Sequence, residues 1–385
     1  MRLKLLIVLL AVLVQTAQAN ELPPAGPVTQ VCPGAGVQVR GAQFEPGGII
    51  LTSFDREAIW VYNVDRNTRY PLPETRPCGS NCRLAPDARW ITYVDPRTAA
   101  IGKMRLDGTQ RTAITNYASD VQWWSADTLL IWTPGHSAYL QPDGGETRDY
   151  LNVVSIVSVQ PGGRWGLEIA QEGDSFARTL VNLDTRGLQG VAEQRVPLGL
   201  ELPFFNAASW SPDGTLLAYV APGPFDSSVN ATGGEIFVIR PGDAAPVQLT
   251  NLSAAYGAAR INGRSGTELS WSPDSTRIAF WAIELIGPDP EANTGAAIVH
   301  VLDTVTGSVR AYCDFATTDH TPDPPRLLWS PDGTHLAFGA NIPADEKGYL
   351  LLALNTETGV FTELSEGIFP ALGHANPIAW GLPPG

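Results

Sequence analysis

The chain contains three similar twelve-residue stretches, SWSPDGTLLAYV at 209–220, SWSPDSTRIAFW at 270–281 and LWSPDGTHLAFG at 328–339. In each copy a tryptophan precedes Ser-Pro-Asp, and an apolar run follows. Proline fixes φ at the first corner of a turn, aspartate hydrogen-bonds the backbone ahead of it, and glycine accepts a positive φ. The stretch therefore predicts a strand that ends at the tryptophan, a tight turn, and a second strand.

Weaker copies of the stretch extend along the chain. Their spacing is 35 to 61 residues, and an eighth, unaccompanied copy reads IAWGLP at 378–383. A period of about 40 to 50 residues with strand-like content is typical of a β-propeller. The first letters of the seven fuller copies, which we call anchors, are Phe44, Leu84, Trp124, Val159, Trp210, Trp271 and Trp329.

Each repeat supplies four strands: one that enters the motif, two that follow it, and one after a turn such as LDTVTG at 302–307. Four antiparallel strands make a propeller blade. We therefore predict an all-β fold, a seven-bladed β-propeller of four-stranded antiparallel blades. The strand at 376–380 has no blade of its own, so we expect it to join the first blade and close the ring. An eight-bladed ring remains the alternative.

The motif residues themselves have a structural interpretation. A ring of catalytic or metal-binding carboxylates is the competing one, but equivalent positions in a propeller are spread around the ring rather than gathered at one point. We expect each tryptophan to pack between neighbouring blades and each Pro-Asp pair to shape a turn. The residues assigned to this structural repeat are Trp210, Pro212, Asp213, Gly214, Trp271, Pro273, Asp274, Trp329, Pro331, Asp332 and Gly333.

At 210–219, 271–280 and 329–338 the chain resembles the WD-repeat-like propellers of the TolB type, whose repeat reads Trp-Ser-Pro-Asp-Gly before a short strand that ends in an aromatic residue. The resemblance covers nearly all the mature chain as a spacing and about half of it as letters. The same repeat occurs in propellers attached to prolyl oligopeptidase-like enzymes. Since the chain contains no Gly-x-Ser-x-Gly, P-loop, dinucleotide or His-Glu-x-x-His motif, the resemblance implies a binding fold with no fixed activity.

The amino terminus reads as an export signal. Arg2 and Lys4 precede an apolar run from Leu5 to Val14, and small residues at Ala17 and Ala19 suit signal cleavage. We expect a signal peptide at 1–19, a tail at 20–36 and a single propeller domain at 37–385. The mature protein is then exported, periplasmic or extracellular, with no membrane insertion.

Charge limits the partners. Without the signal, 23 basic side chains face 39 acidic ones, and such an excess repels nucleic acid. We expect a protein, peptide or glycan as the ligand.

Four cysteines in an exported chain favour disulfides. Cys78 and Cys82 are close enough in sequence to pair, which would leave Cys32 to tie the tail to Cys313. Three connectivities are open at this stage. The spacing in CGSNC does not match a zinc or redox motif.

Long connections in the last three repeats are the expected binding surface. Alternation of strand direction puts the SPDG and DTVTG turns on one face of the propeller and the long segments on the other, and long loops on a rigid scaffold commonly carry binding function. We expect contacts from the aromatic and charged residues of these loops, which are Phe225, Asp226, Tyr256, Arg260, Arg264, Glu284, Asp289, Glu291, Asp319, His320, Asp323 and His374.

These expectations amount to a non-catalytic binding module that acts through the long-loop face of blades five to seven. No cofactor is expected, although Asp289, Glu291, Asp319 and Asp323 leave a Ca²⁺ site open, because Ca²⁺ takes oxygen ligands. The alternative is a glycosidase- or lyase-like hydrolase that uses acidic residues in the propeller funnel, and whether the chain is an enzyme stays undecided.

Overall fold

The computed structural model describes residues 21–41, 44–53, 58–76, 82–134, 137–152, 155–202, 205–223, 233–263, 268–287, 293–317, 323–342, 349–365 and 376–384. Over these residues the chain forms seven β-sheets arranged as the blades of a ring, with one five-residue helix. The prediction of an all-β, seven-bladed propeller is confirmed.

The first four blades use strands of ordinary length. Blade two completes its inner edge with an isolated bridge between Leu84 and Ile91. The strands are, in blade one, β3 (Ile49–Ser53), β4 (Ile59–Asn63) and β5 (Thr68–Leu72); in blade two, β6 (Trp90–Val94), β7 (Ile101–Arg105) and β8 (Thr112–Thr115); in blade three, β9 (Asp120–Trp123), β10 (Thr128–Trp132), β11 (Ser137–Pro142) and β12 (Arg148–Asn152); and in blade four, β13 (Ile156–Val159), β14 (Trp165–Glu172), β15 (Ser175–Asn182) and β16 (Arg195–Glu201).

The last three blades follow the three close copies of the motif. Their elements are, in blade five, β17 (Ala208–Trp210), β18 (Leu217–Pro222), β19 (Gly234–Ile239) and β20 (Val247–Gln248); then helix α1 (Leu252–Tyr256); in blade six, β21 (Ala259–Ile261), β22 (Ser270–Trp271), β23 (Arg277–Leu285), β24 (Thr294–Asp303) and β25 (Val309–Thr317); and in blade seven, β26 (Leu328–Trp329), β27 (His335–Asn341), β28 (Tyr349–Asn355) and β29 (Phe361–Ser365). Strands β1 (Val28–Val31), β2 (Val37–Val39) and β30 (Asn376–Gly381) come from the two ends of the chain.

The core lies between the blades. Buried apolar side chains of the described residues form seven clusters, and each cluster joins two blades that follow one another in the ring. One of them packs blade seven against blade one through Leu351 and Ile50. The ring is therefore held by face-to-face packing of neighbouring sheets, with burial of apolar surface as the main stabilising contribution.

The C-terminal strand closes the ring as predicted. β30 pairs antiparallel with β3, and Trp380 lies opposite Ile50. The Trp380 indole Nε1–H donates to the Gly47 carbonyl at 3.1 Å. The stray eighth copy and the weak copy at Phe44 thus belong to a single blade, which is why there are seven blades rather than eight.

The amino-terminal segment runs along the outer edges of the last two blades. β1 pairs parallel with β25, and β2 pairs parallel with β29. The predicted disulfide between Cys32 and Cys313 is present, across a sequence separation of 281 residues. Cys82 is also disulfide-bonded, while its predicted partner Cys78 lies outside the described residues. We refer to residues 21–41 as the strap.

The motif aspartates bond their own turns. Asp213 Oδ1 accepts from Ser211 Oγ at 2.6 Å and from the Thr215 amide at 3.0 Å. Gly214 has a φ of 70°, and a Cβ there would lie 2.3 Å from the Pro161 carbonyl oxygen of blade four. Glycine is therefore required at this corner both for its φ and for the close approach of the neighbouring blade.

The serine before one anchor and the tryptophan of the next anchor join adjacent inner strands, as Ser209 and Trp271 do. Ser270 Oγ donates to the Leu327 carbonyl at 2.8 Å, and Trp329 Nε1 donates back to the Ser270 carbonyl at 2.8 Å. In blade three the equivalent indole belongs to Trp123, which donates to the Arg83 carbonyl, rather than to the predicted anchor Trp124. The turn SADT there is one residue shorter than SPDGT, so the anchor moves back by one position.

Candidate binding face and channel mouth

The strand order defines two faces. In the last three blades the connections from the first to the second strand and from the third to the fourth strand are short, for example 272–276 and 330–334, and we call their side the turn face. The other connections, such as 249–269 between β20 and β22, leave the strands on the opposite side, the long-loop face. Each inner strand starts on the long-loop face, so residues just before an anchor surround the mouth of the central channel.

Among the described residues, the strands of blade six reach farthest on the long-loop face. β23 and β24 have nine and ten residues, against five each for β3 and β4 in blade one. β21 continues the inner edge of β23 beyond β22, because Ala259 pairs with Glu284 while Trp271 pairs with Ile278. The extra strand length is added at the long-loop end, where it raises a wall beside the channel mouth.

Charged side chains from four blades meet at the channel mouth. Glu268 lies three residues before its anchor Trp271, and Arg326 lies three before Trp329. Arg326 Nη2 donates to Glu268 Oε2 at 2.7 Å, and Arg83 Nη1 donates to the other oxygen, Oε1. Blades two and six are not neighbours, so the Arg83–Glu268 ion pair crosses the channel.

The two carboxylates of this mouth have opposite pKa shifts. Burial raises the pKa of Glu268, but the positive charges of Arg326 and Arg83 and a hydrogen bond from Arg83 outweigh it and hold the pKa at about 2. Asp120, at the start of β9, has a raised pKa. Burial and the charge of Glu268 raise it more than the charge of Arg83 and the hydrogen bond from the Val121 amide lower it. The mouth therefore holds one firmly ionised carboxylate and one that protonates more readily than usual.

The structure describes four of the twelve predicted binding residues: Tyr256, Arg260, Glu284 and Asp323. Tyr256, Arg260 and Glu284 belong to α1, β21 and β23, so blade six brings three of them to its long-loop end. Glu284 is exposed, whereas Arg260 is only 3% exposed. The remaining eight lie outside the described residues, and they are Phe225, Asp226, Arg264, Asp289, Glu291, Asp319, His320 and His374.

Tyr256 is held by internal contacts. Its hydroxyl lies 2.8 Å from His300 Nε2, and the two rings meet edge to face at 5.5 Å. Burial raises the pKa of Tyr256. The helix that carries it is capped by the Glu235 carboxylate, which accepts from the amides of Leu252 and Ser253 at 2.8 and 2.9 Å. Tyr256 is therefore a fixed part of the blade-six wall.

Reasoning from the sequence missed Arg83, Asp120, Glu268 and Arg326. Three of the four occupy the same position, three residues before the aromatic residue that ends an inner strand. Charged residues at that position, in a fold whose inner strands line a channel, were the available signal.

Within the described ranges, His, Cys, Asp and Glu side chains form no group of three or more that suits a metal ion. Three of the four carboxylates considered for Ca²⁺, namely Asp289, Glu291 and Asp319, lie outside those ranges. None of the helices in the described part of the chain has the length and apolar character to cross a bilayer.

Comparison with known proteins shows similarity in fold. The chain is similar to TolB from Acinetobacter baumannii, with 17% identity, a TM-score of 0.45, and coverage of 87% of this chain and 82% of that one. It is also similar to oligogalacturonate lyase from Vibrio parahaemolyticus (12% identity, TM-score 0.49, coverage 84% and 87%) and to the β-propeller domain of the Trilobed protease from Pyrococcus furiosus (12%, 0.47, 75% and 84%).

No protein-family model matches the chain, and no curated protein matches its sequence. TolB is among the similar structures, in agreement with the resemblance inferred from the motif. A propeller fold alone does not choose between binding and catalysis, because one fold carries many functions.

Proposed function

We propose that the chain is an exported, non-catalytic binding module that recognises a protein, peptide or glycan through the long-loop face of blades five to seven. The observation that carries the proposal is the one-sided extension of blade six, with β21, α1 and the end of β23 on the same face as the channel mouth. A wall built on rigid strands beside a concave mouth presents groups in fixed positions, which lowers the entropic cost of binding.

The ion pairs of the channel support binding at the mouth rather than deep in the channel. Glu268 engages arginines from blades two and seven, so the charged groups are already paired across the opening. A ligand that enters from the long-loop face meets these side chains, which are 25%, 33% and 41% exposed for Arg83, Glu268 and Arg326. Export agrees with the Cys32–Cys313 disulfide, because disulfides persist in oxidising compartments.

The proposal is tested by a matched pair of charge reversals. Peptide and glycan arrays are screened with the purified mature protein, and each ligand found is titrated by calorimetry. Glu284→Lys alters the exposed end of β23 on the long-loop face, and Glu357→Lys makes the same charge change in the β28–β29 turn on the turn face. We expect Glu284→Lys to weaken binding at least tenfold, while Glu357→Lys leaves it unchanged.

Equal losses from both variants, or a loss from Glu357→Lys alone, would show that the ligand does not use the long-loop face. Circular dichroism of both variants provides the folding control. Both positions are exposed, and exposed substitutions change the free energy of unfolding by about 0.5 kcal/mol or less.

The second candidate function is a glycosidase- or lyase-like hydrolase. One observation favours it: Asp120 and Glu268 share the channel mouth with opposite pKa shifts, as an acid and an ionised partner do in many glycosidases. Against it, both Glu268 oxygens accept hydrogen bonds from arginines, which reduces the capacity of this carboxylate to act as a nucleophile or base.

Turnover separates the two functions. Oligosaccharides, including uronate-containing ones, are incubated with the wild type, Asp120→Asn and Glu268→Gln, and products are followed by mass spectrometry. The binding proposal predicts no products from any of the three proteins. If the wild type forms products and Asp120→Asn does not, the binding proposal is wrong and the chain is a hydrolase.

A Ca²⁺ site in the long loops remains a separate proposal. It rests on Asp289, Glu291, Asp319 and Asp323, whose oxygens suit a hard cation. The thermal melt with and without EDTA tests it, since an ion bound to the folded state raises the melting temperature. An unchanged melt, together with no stoichiometric metal by elemental analysis, would contradict it.

A further inference from the structure

A second concave surface lies at the seam of the ring, between blade one and the outer edge of blade seven. We call it the seam groove. Its volume is about 620 Å³, within the range of small-molecule sites. Its walls are the turn between β4 and β5, the strand β29, and the end of the strap after β2. The β4–β5 turn belongs to the turn face, so this groove lies away from the long-loop face.

One wall of the seam groove is fixed by Arg40. Its Nη1 donates to the Tyr62 hydroxyl at 2.5 Å and to Asn67 Oδ1 at 3.2 Å, and its Nη2 donates to the Val64 carbonyl. The Tyr62 hydroxyl also lies 2.8 Å from the Leu364 carbonyl of blade seven. Among the described residues nothing accepts from the Nε–H of Arg40. The groove thus contains a guanidinium that three hydrogen bonds hold in place, and two of its five N–H donors remain for a ligand.

Three arginines and two acids line the groove, which leaves its lining with one positive charge in excess. Arg66 and Arg69 line it as well, and the exposed side chain of Arg66 has no hydrogen-bond or ion-pair partner in the described part of the chain. Of the two lining acids, Asp65 accepts from the Gly48 amide at 3.2 Å, and Glu363 is only 4% exposed. The groove therefore has an excess of positive charge on a chain whose formal net charge is −14.

We propose that the seam groove binds a small anionic ligand through its carboxylate or phosphate groups. Arginine binds both groups with paired, charge-assisted hydrogen bonds. The fixed Arg40 supplies a preformed contact, and Arg66 supplies a cation that can turn towards the ligand. The ligand bridges the strap, blade one and blade seven, because residues of all three line the groove.

Calorimetric titration at low ionic strength tests the proposal with two probes, citrate for carboxylates and inorganic pyrophosphate for phosphates. We expect saturable one-site binding of at least one probe, and the probe that binds identifies the preferred group. Arg66→Ala should weaken that binding about tenfold or more, because a hydrogen bond to a charged group is lost. Glucose, a neutral molecule of similar size to the two probes, should not bind.

Arg148→Ala is the matched control, since Arg148 is an exposed arginine on β12 of blade three and the charge change is the same. It should bind the probe as the wild type does. Absence of saturable binding for both probes overturns the proposal, as does an equal loss in the Arg148→Ala and Arg66→Ala proteins. The seam groove and the long-loop face use different residues, so each proposal stands or fails by its own variants.

Discussion

Asp213, Asp274 and Asp332 occupy equivalent turns and make equivalent contacts. Each accepts from the serine two residues before it and from the threonine amide two residues after it. These hydrogen bonds lower the pKa of all three aspartates, although partial burial acts in the opposite direction. These contacts explain why the motif contains an aspartate at this position, and the explanation requires no catalytic role.

Asp213→Ala tests this structural role. The substitution leaves Ser211 Oγ and the Thr215 amide without their acceptor, so we expect the free energy of unfolding to fall by about 1 to 2 kcal/mol. Urea unfolding followed by circular dichroism measures it. Asp174→Ala is the control, since Asp174 is an exposed residue between β14 and β15; a similar loss in both proteins would contradict the structural role.

His300 is expected to make the free energy of unfolding depend on pH. Its side chain is fully buried, its Nδ1–H donates to the Ile298 carbonyl at 2.9 Å, and its Nε2 accepts from the Tyr256 hydroxyl. Burial lowers the pKa of His300 from 6.5 to about 4, against the smaller opposing effect of the Ile298 bond. Since the folded-state pKa is depressed, the associated stability is complete above about pH 6.5 and is lost as the pH falls towards 4.

We expect the wild type to lose about 2.5 kcal/mol of unfolding free energy through this residue between pH 7.5 and pH 4.5. The variant His300→Gln does not titrate in this range, so its loss should be smaller by that amount. Urea unfolding of both proteins at the two pH values measures the difference. Parallel losses would show that His300 does not bind a proton on unfolding.

The strap adds one strand to the outer edge of blade six and one to the outer edge of blade seven. Both strands run parallel to their partners, β25 and β29, whereas the strands within each blade are antiparallel. Asp314 accepts from the amides of Ala35 and Gly36 at 2.7 and 3.3 Å, immediately after the disulfide. Two short parallel strands offer little stability of their own. The disulfide therefore contributes much of the stability that holds the strap against blades six and seven.

Cys32→Ser/Cys313→Ser should lower the unfolding free energy by about 2 to 5 kcal/mol, because the covalent link closes a very long loop. Hydrogen exchange should also increase first in β1 and β2. The double substitution leaves Cys78 and Cys82 intact, so the effect reports this one disulfide. Unchanged protection of β1 and β2 would mean that strand pairing alone holds the strap.

The motif predicted much of the fold because each of its signals is local. Trp210, Asp213 and Gly214 specify a strand end and a turn within a few residues, and repetition of that unit gave the blade count. The partners of β1 and β2 were not predictable in this way, since Val28 pairs with Val309 across most of the chain. Arg83 and Glu268 were missed for the same reason, because only ring closure brings residues 185 positions apart into contact.

Closure of the ring depends on one strand. β30 provides the inner strand of blade one, and without it the inner edge of β3 would have no partner. The same strand places Trp380, which is 1% exposed, in the cluster that joins blades one and seven. Closure therefore also sets the position of blade one against blade seven at the seam groove, and it brings Arg83 within reach of Glu268 across the channel.

Removal of 376–385 should open the ring. We expect the shortened protein to lose the cooperative thermal transition of the full chain and to form larger species, since the free edge of β3 can pair with other chains. Light scattering coupled to size exclusion, with circular dichroism melts, measures both effects. Removal of only 383–385 retains β30 and is the matched control. If the protein without 376–385 keeps the molar mass and melting transition of this control, the seven sheets hold together through their faces, and the C-terminal strand is not required for closure.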